Sequence, residues 1–248
     1  PSALIALTKS EGGVDCRRFS MMTLCNLAAN PVTRKAATKR GGLQAMIIMA
    51  KGEDVECKRY ATIGLCNLAC DENTQVQVVV HGGLLPLLDM AKTTSNEDNQ
   101  HHAILALTNI AANETNHSSM IERGALEIIM KLTESNNEDI RRYSAFSLAN
   151  LASCYGNHER LAKAGAVKPL VMLAYSEDSN TKCLAIAALR RLAEDENIRA
   201  EMVKLDVMVP LVACGRAPEL EIQREVAALL CNMSLNDGNK IAIAESPV

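Results

Sequence analysis

Aromatic residues are almost missing from this chain: 248 residues hold no Trp, four Tyr and two Phe. A β-sandwich core, which favours β-branched and aromatic side chains, is therefore a poor fit. The palette of Ala, Leu, Ile, Val, Met and Cys suits closely packed helices. No apolar run reaches the roughly 20 residues of a membrane span, and no signal peptide is visible. Charge is nearly balanced, with 26 Lys and Arg against 29 Asp and Glu. Together with 48% hydrophobic residues, that balance excludes a chain kept unfolded by its own charge. Nine Cys are present without a disulfide framework. Cys66 and Cys70 stand C-x3-C with no His pair at zinc spacing, so no metal is expected. The cysteines read as small buried apolar residues of a reducing compartment, cytoplasmic or cytoplasm-facing. The sequons at Asn113, Asn116 and Asn232 are then accidental. No phosphate loop, nucleophile motif or paired carboxylates stand out, which argues against an enzyme, a cofactor or a small-molecule substrate.

What the chain does contain is one phrase, many times. Residues 24–30 read LCNLAAN, residues 65–71 read LCNLACD, and the phrase returns as TNIAANE from Thr108, ANLASCY from Ala149 and CNMSLND from Cys231. The marker position is Asn26, Asn67, Asn109, Asn150, Arg191 and Asn232, in steps of 41, 42, 41, 41 and 41. A second marker, the glycine of GGL, GGL, GAL and GAV, falls at Gly41, Gly82, Gly124 and Gly165, in steps of 41, 42 and 41. Asp206 occupies the next expected place. Two markers in one register establish an internal repeat.

Each repeat reads as a short helix, a glycine corner, a second helix, a polar loop and a longer third helix. PVTRKAATKR from Pro31 carries Pro where a helix starts best. Gly41 after it supplies the left-handed turn into LQAMIIMA, and Asp206 tolerates that conformation better than most residues. VECKRYATIGLCNLA from Val55 spaces its apolar residues for a helix buried on more than one side. No unit covers its apolar faces alone, so stacking into a right-handed solenoid is expected. Complete repeats are expected at 30–71, 72–112, 113–153, 154–194 and 195–235, within a single array spanning 1–248. The pieces 1–29 and 236–248 read as partial repeats of a longer array.

The G-[GA]-[LV] corner, the third helix ending in A-L-x-N-[LI]-A and the repeat length together resemble the armadillo repeat family, over essentially the whole chain. The β-catenin and vacuolar-anchor type is a better match than importin-α. The resemblance implies an all-α solenoid whose third helices line a concave groove, and a non-enzymatic scaffold or adaptor that binds an extended protein segment. Importin-α-like chains place Trp four residues before the Asn. Here that position reads Met22, Ile63, Leu105, Phe146, Ala187 and Ala228, so a carrier of basic signals is not expected.

The repeated Asn has two candidate jobs. It can cap carbonyls between repeats, or it can pair with the N–H and C=O of a bound peptide, since an amide both donates and accepts. The resemblance implies the second job for Asn26, Asn67, Asn109, Asn150 and Asn232. Eight residues earlier stand Arg18, Arg59, His101, Arg142, Cys183 and Arg224. A row of guanidinium groups prefers carboxylate or phosphate, so the expected partner segment is acidic or phosphorylated. Arg59 and Arg142 are expected to be exposed. Arg191 either fixes a ligand carboxylate or marks drift in a repeat that binds nothing. A nucleic-acid-binding solenoid is the alternative, disfavoured by sparse aromatics and net acidity. A purely structural array is a third possibility. Membrane contact is expected only through parts of the parent protein outside this sequence.

Overall fold

The computed structural model describes residues 2–9, 13–93 and 96–245. Positions 1, 10–12 and 246–248 of the flanking partial repeats, and 94–95 of repeat 72–112, lie outside the described residues. Among the described residues there are eighteen α-helices, two short 3-10 turns and no strand. They form two compact units, Pro1–Ala125 and Leu126–Val248.

In the first unit α1 (Ser2–Lys9) and α2 (Val14–Ala29) precede two full triplets. These are α3 (Pro31–Lys39), α4 (Gly42–Ala50) and α5 (Val55–Ala69), then α6 (Glu72–Val80), α7 (Leu84–Lys92) and α8 (Glu97–Ala111). A 3-10 turn at Glu114–Asn116 leads into α9 (His117–Glu122). The second unit holds α10 (Ala125–Leu132) and α11 (Glu138–Leu151), then a 3-10 turn at Tyr155–Asn157 with α12 (His158–Lys163), α13 (Val167–Leu173) and α14 (Ser179–Leu192). It continues with α15 (Glu196–Lys204), α16 (Met208–Gly215), α17 (Leu220–Met233) and α18 (Asp237–Ala244). In the first unit the third helices α2, α5 and α8 pack on one another in turn; in the second, α11, α14 and α17 do the same.

The corners form as the sequence predicts. Gly41, Gly82, Gly124 and Gly165 have φ of 91°, 82°, 79° and 81°. Asp206 takes the same turn at φ 53°, the one positive-φ residue other than Gly among those described. An L-residue strains there, and Asp strains less than most because its short polar side chain tolerates the left-handed region. Four third helices start on a capping side chain: Asp54, Asn96, Asn137 and Asp178 accept from the N–H three residues on, whereas α2 and α17 start without one. Such a cap satisfies one of the N–H groups that a helix start leaves without a partner.

The core is aliphatic and small, with Leu24, Ala61, Leu65, Leu107, Ala145, Leu148, Ala185 and Leu189 fully buried. Gly64 lets α5 press against α4, since a Cβ there would stand 2.8 Å from Met46 Sδ. Burial pushes the Cys25 thiol up to about 11 and the Cys66 thiol up to about 12. The expectation of buried cysteines needs correction, however. Cys25, Cys57, Cys66 and Cys214 are buried, but Cys16, Cys70 and Cys231 are exposed. Cys16 and Cys231 lie near the ends of α2 and α17, and Cys70 is the residue that follows α5.

A third register, absent from the sequence reading, ties first helices to the third helix before them. In the first unit Arg34 Nε donates to Ala28 O at 2.8 Å, Gln75 Nε2 to Ala69 O at 3.2 Å and His117 Nε2 to Ala111 O at 2.8 Å. In the second, His158 Nε2 donates to Ala152 O at 2.9 Å and Arg199 NH1 to Ala193 O at 2.9 Å. Each satisfies a carbonyl that a helix end leaves unpaired. Residue type varies while the bond persists, which is why no repeated letter betrayed it; the signal available was polarity recurring at the repeat step. Asn116 joins this layer, donating to Ile110 O at 3.0 Å. It is 2% exposed, so its sequon has no room for a glycan.

Candidate functional site

The repeated Asn stands near the C-terminal end of each third helix. In the first unit Asn26, Asn67 and Asn109 lie on α2, α5 and α8; in the second, Asn150, Arg191 and Asn232 lie on α11, α14 and α17. Asn67 Nδ2 donates to Cys25 O at 3.4 Å and Asn232 Nδ2 to Arg190 O at 2.9 Å. Arg191 NH1 donates to Ala149 O at 2.6 Å. In all three cases the acceptor is the residue just before the preceding repeat's marker. Asn109 instead directs Nδ2 at Cys70 Sγ, 3.6 Å away, and Asn26 is exposed. The marker therefore does perform an inter-repeat job, and Arg191 performs it as Asn does. The amides keep an acceptor in hand: Oδ1 of Asn67 and of Asn232 receives no hydrogen bond among the described residues.

The row eight residues earlier divides by partner. Arg18 grips Asp54, the cap of the next third helix, through Nε at 3.1 Å and NH2 at 2.7 Å. That guanidinium, aided by the Cys57 N–H, holds the Asp54 carboxyl far below the usual carboxylate range. In the second unit Arg142 meets the equivalent cap, Asp178, at 3.0 Å, and also Asp139 at 2.9 Å and Glu138 at 3.2 Å. Burial works against the Asp178 charge, yet Thr181 and Arg142 still hold its pKa below the ordinary value. Arg59 faces no carboxylate cap, because the next cap is Asn96. It touches Glu56 at 3.5 Å and lies 5.5 Å from the Tyr60 ring centre. Arg224, 74% exposed, has only Glu225 at 3.8 Å. His101 packs edge-on against His102 at 5.2 Å, and burial together with His101 lowers the His102 pKa. The expectation that Arg59 and Arg142 stand exposed is not met: both are half-buried, Arg142 among three carboxylates and Arg59 beside Glu56 and the Tyr60 ring. The charged row is thus two inter-repeat clamps, Arg18 and Arg142, and two lightly held cations, Arg59 and Arg224.

Stacked three-helix repeats with a left-handed corner and a polar row along the third helices define a helical-repeat protein. The particular kind is the armadillo repeat fold. A family profile described as the Armadillo/beta-catenin-like repeat matches residues 159–194. The crystal structure of an engineered protein superposes with a TM-score of 0.84 at 24% identity, covering 94% of this chain and 96% of that one. A designed armadillo repeat protein in complex with the peptide (KR)4 gives 0.84 at 22% identity, covering 94% and 98%. Computationally designed armadillo repeat proteins for modular peptide recognition give 0.88 at 20% identity, covering 93% and 98%. No curated protein matches the chain. No helix among the described residues is long and apolar enough to cross a membrane.

Proposed function

We propose that the chain is a non-enzymatic interaction scaffold, on the cytoplasmic side of the cell, that binds an extended acidic or phosphorylated segment of a partner protein along its third helices. The observation that carries this reading is the fixed marker amide. Asn67 and Asn232 each have one N–H tied to the neighbouring helix, which sets the plane of the amide, while Oδ1 is left to accept from a ligand backbone. Such a preset acceptor binds without a fresh ordering cost. The rest of the marker row, Asn26, Asn109, Asn150 and Arg191, extends the same surface within its own unit. Arg59 and Arg224 supply the charge that selects the ligand, with His101 beside them in the row. Arg18 and Arg142 hold the repeats that carry them. A designed armadillo repeat protein was solved in complex with the peptide (KR)4, which supports a peptide ligand for this fold; the cations here call for a ligand of opposite sign. The repeat boundaries proposed above, from 30–71 to 195–235, give each complete repeat one marker.

The test measures fluorescence polarisation with labelled peptides of alternating Glu and Leu, their phosphoserine counterparts, and (KR)4. Acidic peptides are expected to bind and (KR)4 not to. Asn67→Ala removes a neutral hydrogen bond, so affinity should fall about 2- to 12-fold with an unchanged salt slope. Arg59→Glu should weaken binding further and flatten the salt slope. Preference for (KR)4, or Arg59→Glu binding as the wild type does, would refute the proposal. Oligonucleotide binding with a steep salt slope would favour the nucleic-acid reading instead.

A further inference from the structure

A second, independent feature lies away from the marker row, at the other end of the third helices in the first unit. The starts of α5 and α8 and the second helices α4 and α7 enclose a cleft of about 650 Å³, a volume in the range that holds a few residues of peptide or a small organic molecule. Its lining includes Lys51, Val55, Lys58, Leu85, Pro86 and Asn99.

Asn99 is the anomaly. It sits three residues after the cap of α8, where its N–H is bonded to Asn96 Oδ1 at 3.1 Å. The equivalent residues of the other third helices are Cys16, exposed at the start of α2, and Cys57, Ile140, Thr181 and Ile222, all buried. Cys57, Ile140 and Thr181 have the same main-chain role, each donating its N–H to the cap, so the side chain at this position is a free choice. These repeats choose an apolar or small group, and Thr181 satisfies its hydroxyl on Asp178 at 2.6 Å. Asn99 is 5% exposed, and its Oδ1 is closed to water and accepts no hydrogen bond. A buried unmet acceptor is destabilising and asks for an explanation. A rotation about χ2, a soft torsion in Asn, would bring this acceptor to the cleft.

The rest of the cleft shows what meets that acceptor. Lys51 and Lys58 line it, and neither has a carboxylate partner among the described residues. The Lys51 ammonium lies against the Gly82 corner, 3.3 Å from where a Cβ would stand, so the glycine leaves the cation its place. Val55 and Leu85, 67% and 45% exposed, form apolar lips. The one acidic lining residue, Asp89, is paired with Lys92 at 3.8 Å.

We infer that this cleft is a second docking site, for a short segment of a partner protein that places a carboxylate next to a bulky apolar side chain. The segment's main-chain N–H donates to Asn99 Oδ1, its carboxylate meets Lys51 and Lys58, and its apolar side chain covers Leu85 and Pro86. The open apolar lips favour a chain passing through over an enclosed small molecule. The second unit supplies an internal control. Its corresponding cleft, about 910 Å³, is lined by Lys168, Pro169 and Met172. There the position of Asn99 is taken by Thr181, whose hydroxyl is already met by Asp178 at 2.6 Å, and the position of Lys58 by Arg141, which is tied to the carbonyls of Ser135 and Asn136 at 2.7 and 2.9 Å.

The experiment uses the whole chain labelled with 13C-methyl methionine, because Met90 lines the first cleft and Met172 the second. The probes are synthetic hexapeptides with one Leu or Phe and two Asp or Glu, their Asn/Gln counterparts, and N-acetyl-leucine. Acidic–apolar hexapeptides should shift the Met90 methyl and leave Met172 in place. Asn99→Ile should weaken this binding more than tenfold while raising the Tm, since it removes an unmet buried acceptor. Lys51→Glu with Lys58→Glu should also abolish it, with the Tm little changed. Asn67→Ala and Arg59→Glu should leave it intact, which separates this site from the third-helix groove. The inference is overturned if no hexapeptide shifts Met90, if Asn99→Ile binds as the wild type does, or if neutral counterparts bind equally. It is also overturned if N-acetyl-leucine binds as tightly as the hexapeptides, which would mark a small-molecule site.

Discussion

The two units treat their third-helix cations and helix starts differently, although the second unit too leaves His158 Nδ1 and Arg199 Nε buried without a partner among the described residues. Arg142 has three carboxylates, Arg190 has Glu225 at 2.6 Å and Arg191 has a carbonyl. In the first unit Arg59 has one loose carboxylate and Asn99 Oδ1 has no partner. Both units are built on one repeat, so the contrast is not imposed by the fold. Groups that stability alone would pair, and that stay unpaired in one unit, are where a ligand is to be sought. The four-before row differs too: Met22, Ile63 and Leu105 in the first unit, Phe146, Ala187 and Ala228 in the second.

The largest expected effect concerns what the units share, the corner. Gly82→Val in the first unit and Gly165→Val in the second each force an L-residue into the left-handed region, at about 1–2 kcal/mol. At Gly165 a Cβ meets nothing within 4 Å, so that variant isolates the backbone strain. At Gly82 it meets only the flexible Lys51 end. The reverse change, Asp206→Gly, should stabilise by less than about 1 kcal/mol, because the flexibility of Gly in the unfolded chain offsets part of the relief. Denaturant titrations that place all three variants at the wild-type midpoint would end the corner argument.

A subtler effect compares the two clamps. Asp54 in the first unit and Asp178 in the second both have folded pKa values below the unfolded value of about 3.9. Below about pH 4 the unfolded state therefore binds more protons than the folded one. The stability that each carboxylate contributes is fully present above that value and is lost as pH falls toward the folded pKa. Asp54→Asn keeps a cap and removes the charge, as does Asp178→Asn. Each should flatten the fall in stability below pH 4, read as a shallower acid-unfolding curve by circular dichroism. A curve of wild-type steepness for both variants would mean that the clamps are not linked to acid unfolding.

Much of this architecture was legible because it depends on particular letters. Gly41, Gly82, Gly124 and Gly165 are demanded by positive φ, and Asp206 was readable as their substitute for the same reason. The helix triplets followed from them. The Arg row was legible as a row but not as clamps, because the partners of Arg18 and Arg142 lie 36 residues away on caps whose own role is local. Arg34, Gln75, His117, His158 and Arg199 escaped because three side-chain types, Arg, Gln and His, make one kind of bond. Asn99 escaped for the opposite reason: its oddity is its burial, and burial is a property of the fold.

The smallest effect tests what Arg191 is for. Its guanidinium reaches Ala149 O at 2.6 Å, the acceptor that corresponds to Cys25 O for Asn67 and Arg190 O for Asn232. A carboxamide at the same place spans the same gap in those two repeats, so Arg191→Asn should retain the bond and change stability by no more than about 0.5 kcal/mol. Arg191→Ala deletes the donor and leaves a helix-end carbonyl less well satisfied, for about 1 kcal/mol. The pair of variants also weighs the second unit as a binding surface. With the guanidinium already held by the chain, replacing it by Asn removes little that a ligand uses, and acidic-peptide affinity should fall less than about threefold. A tenfold loss in Arg191→Asn at unchanged stability would show instead that Arg191 leaves Ala149 O to hold a ligand carboxylate, and would move the charged contact of the groove into the second unit.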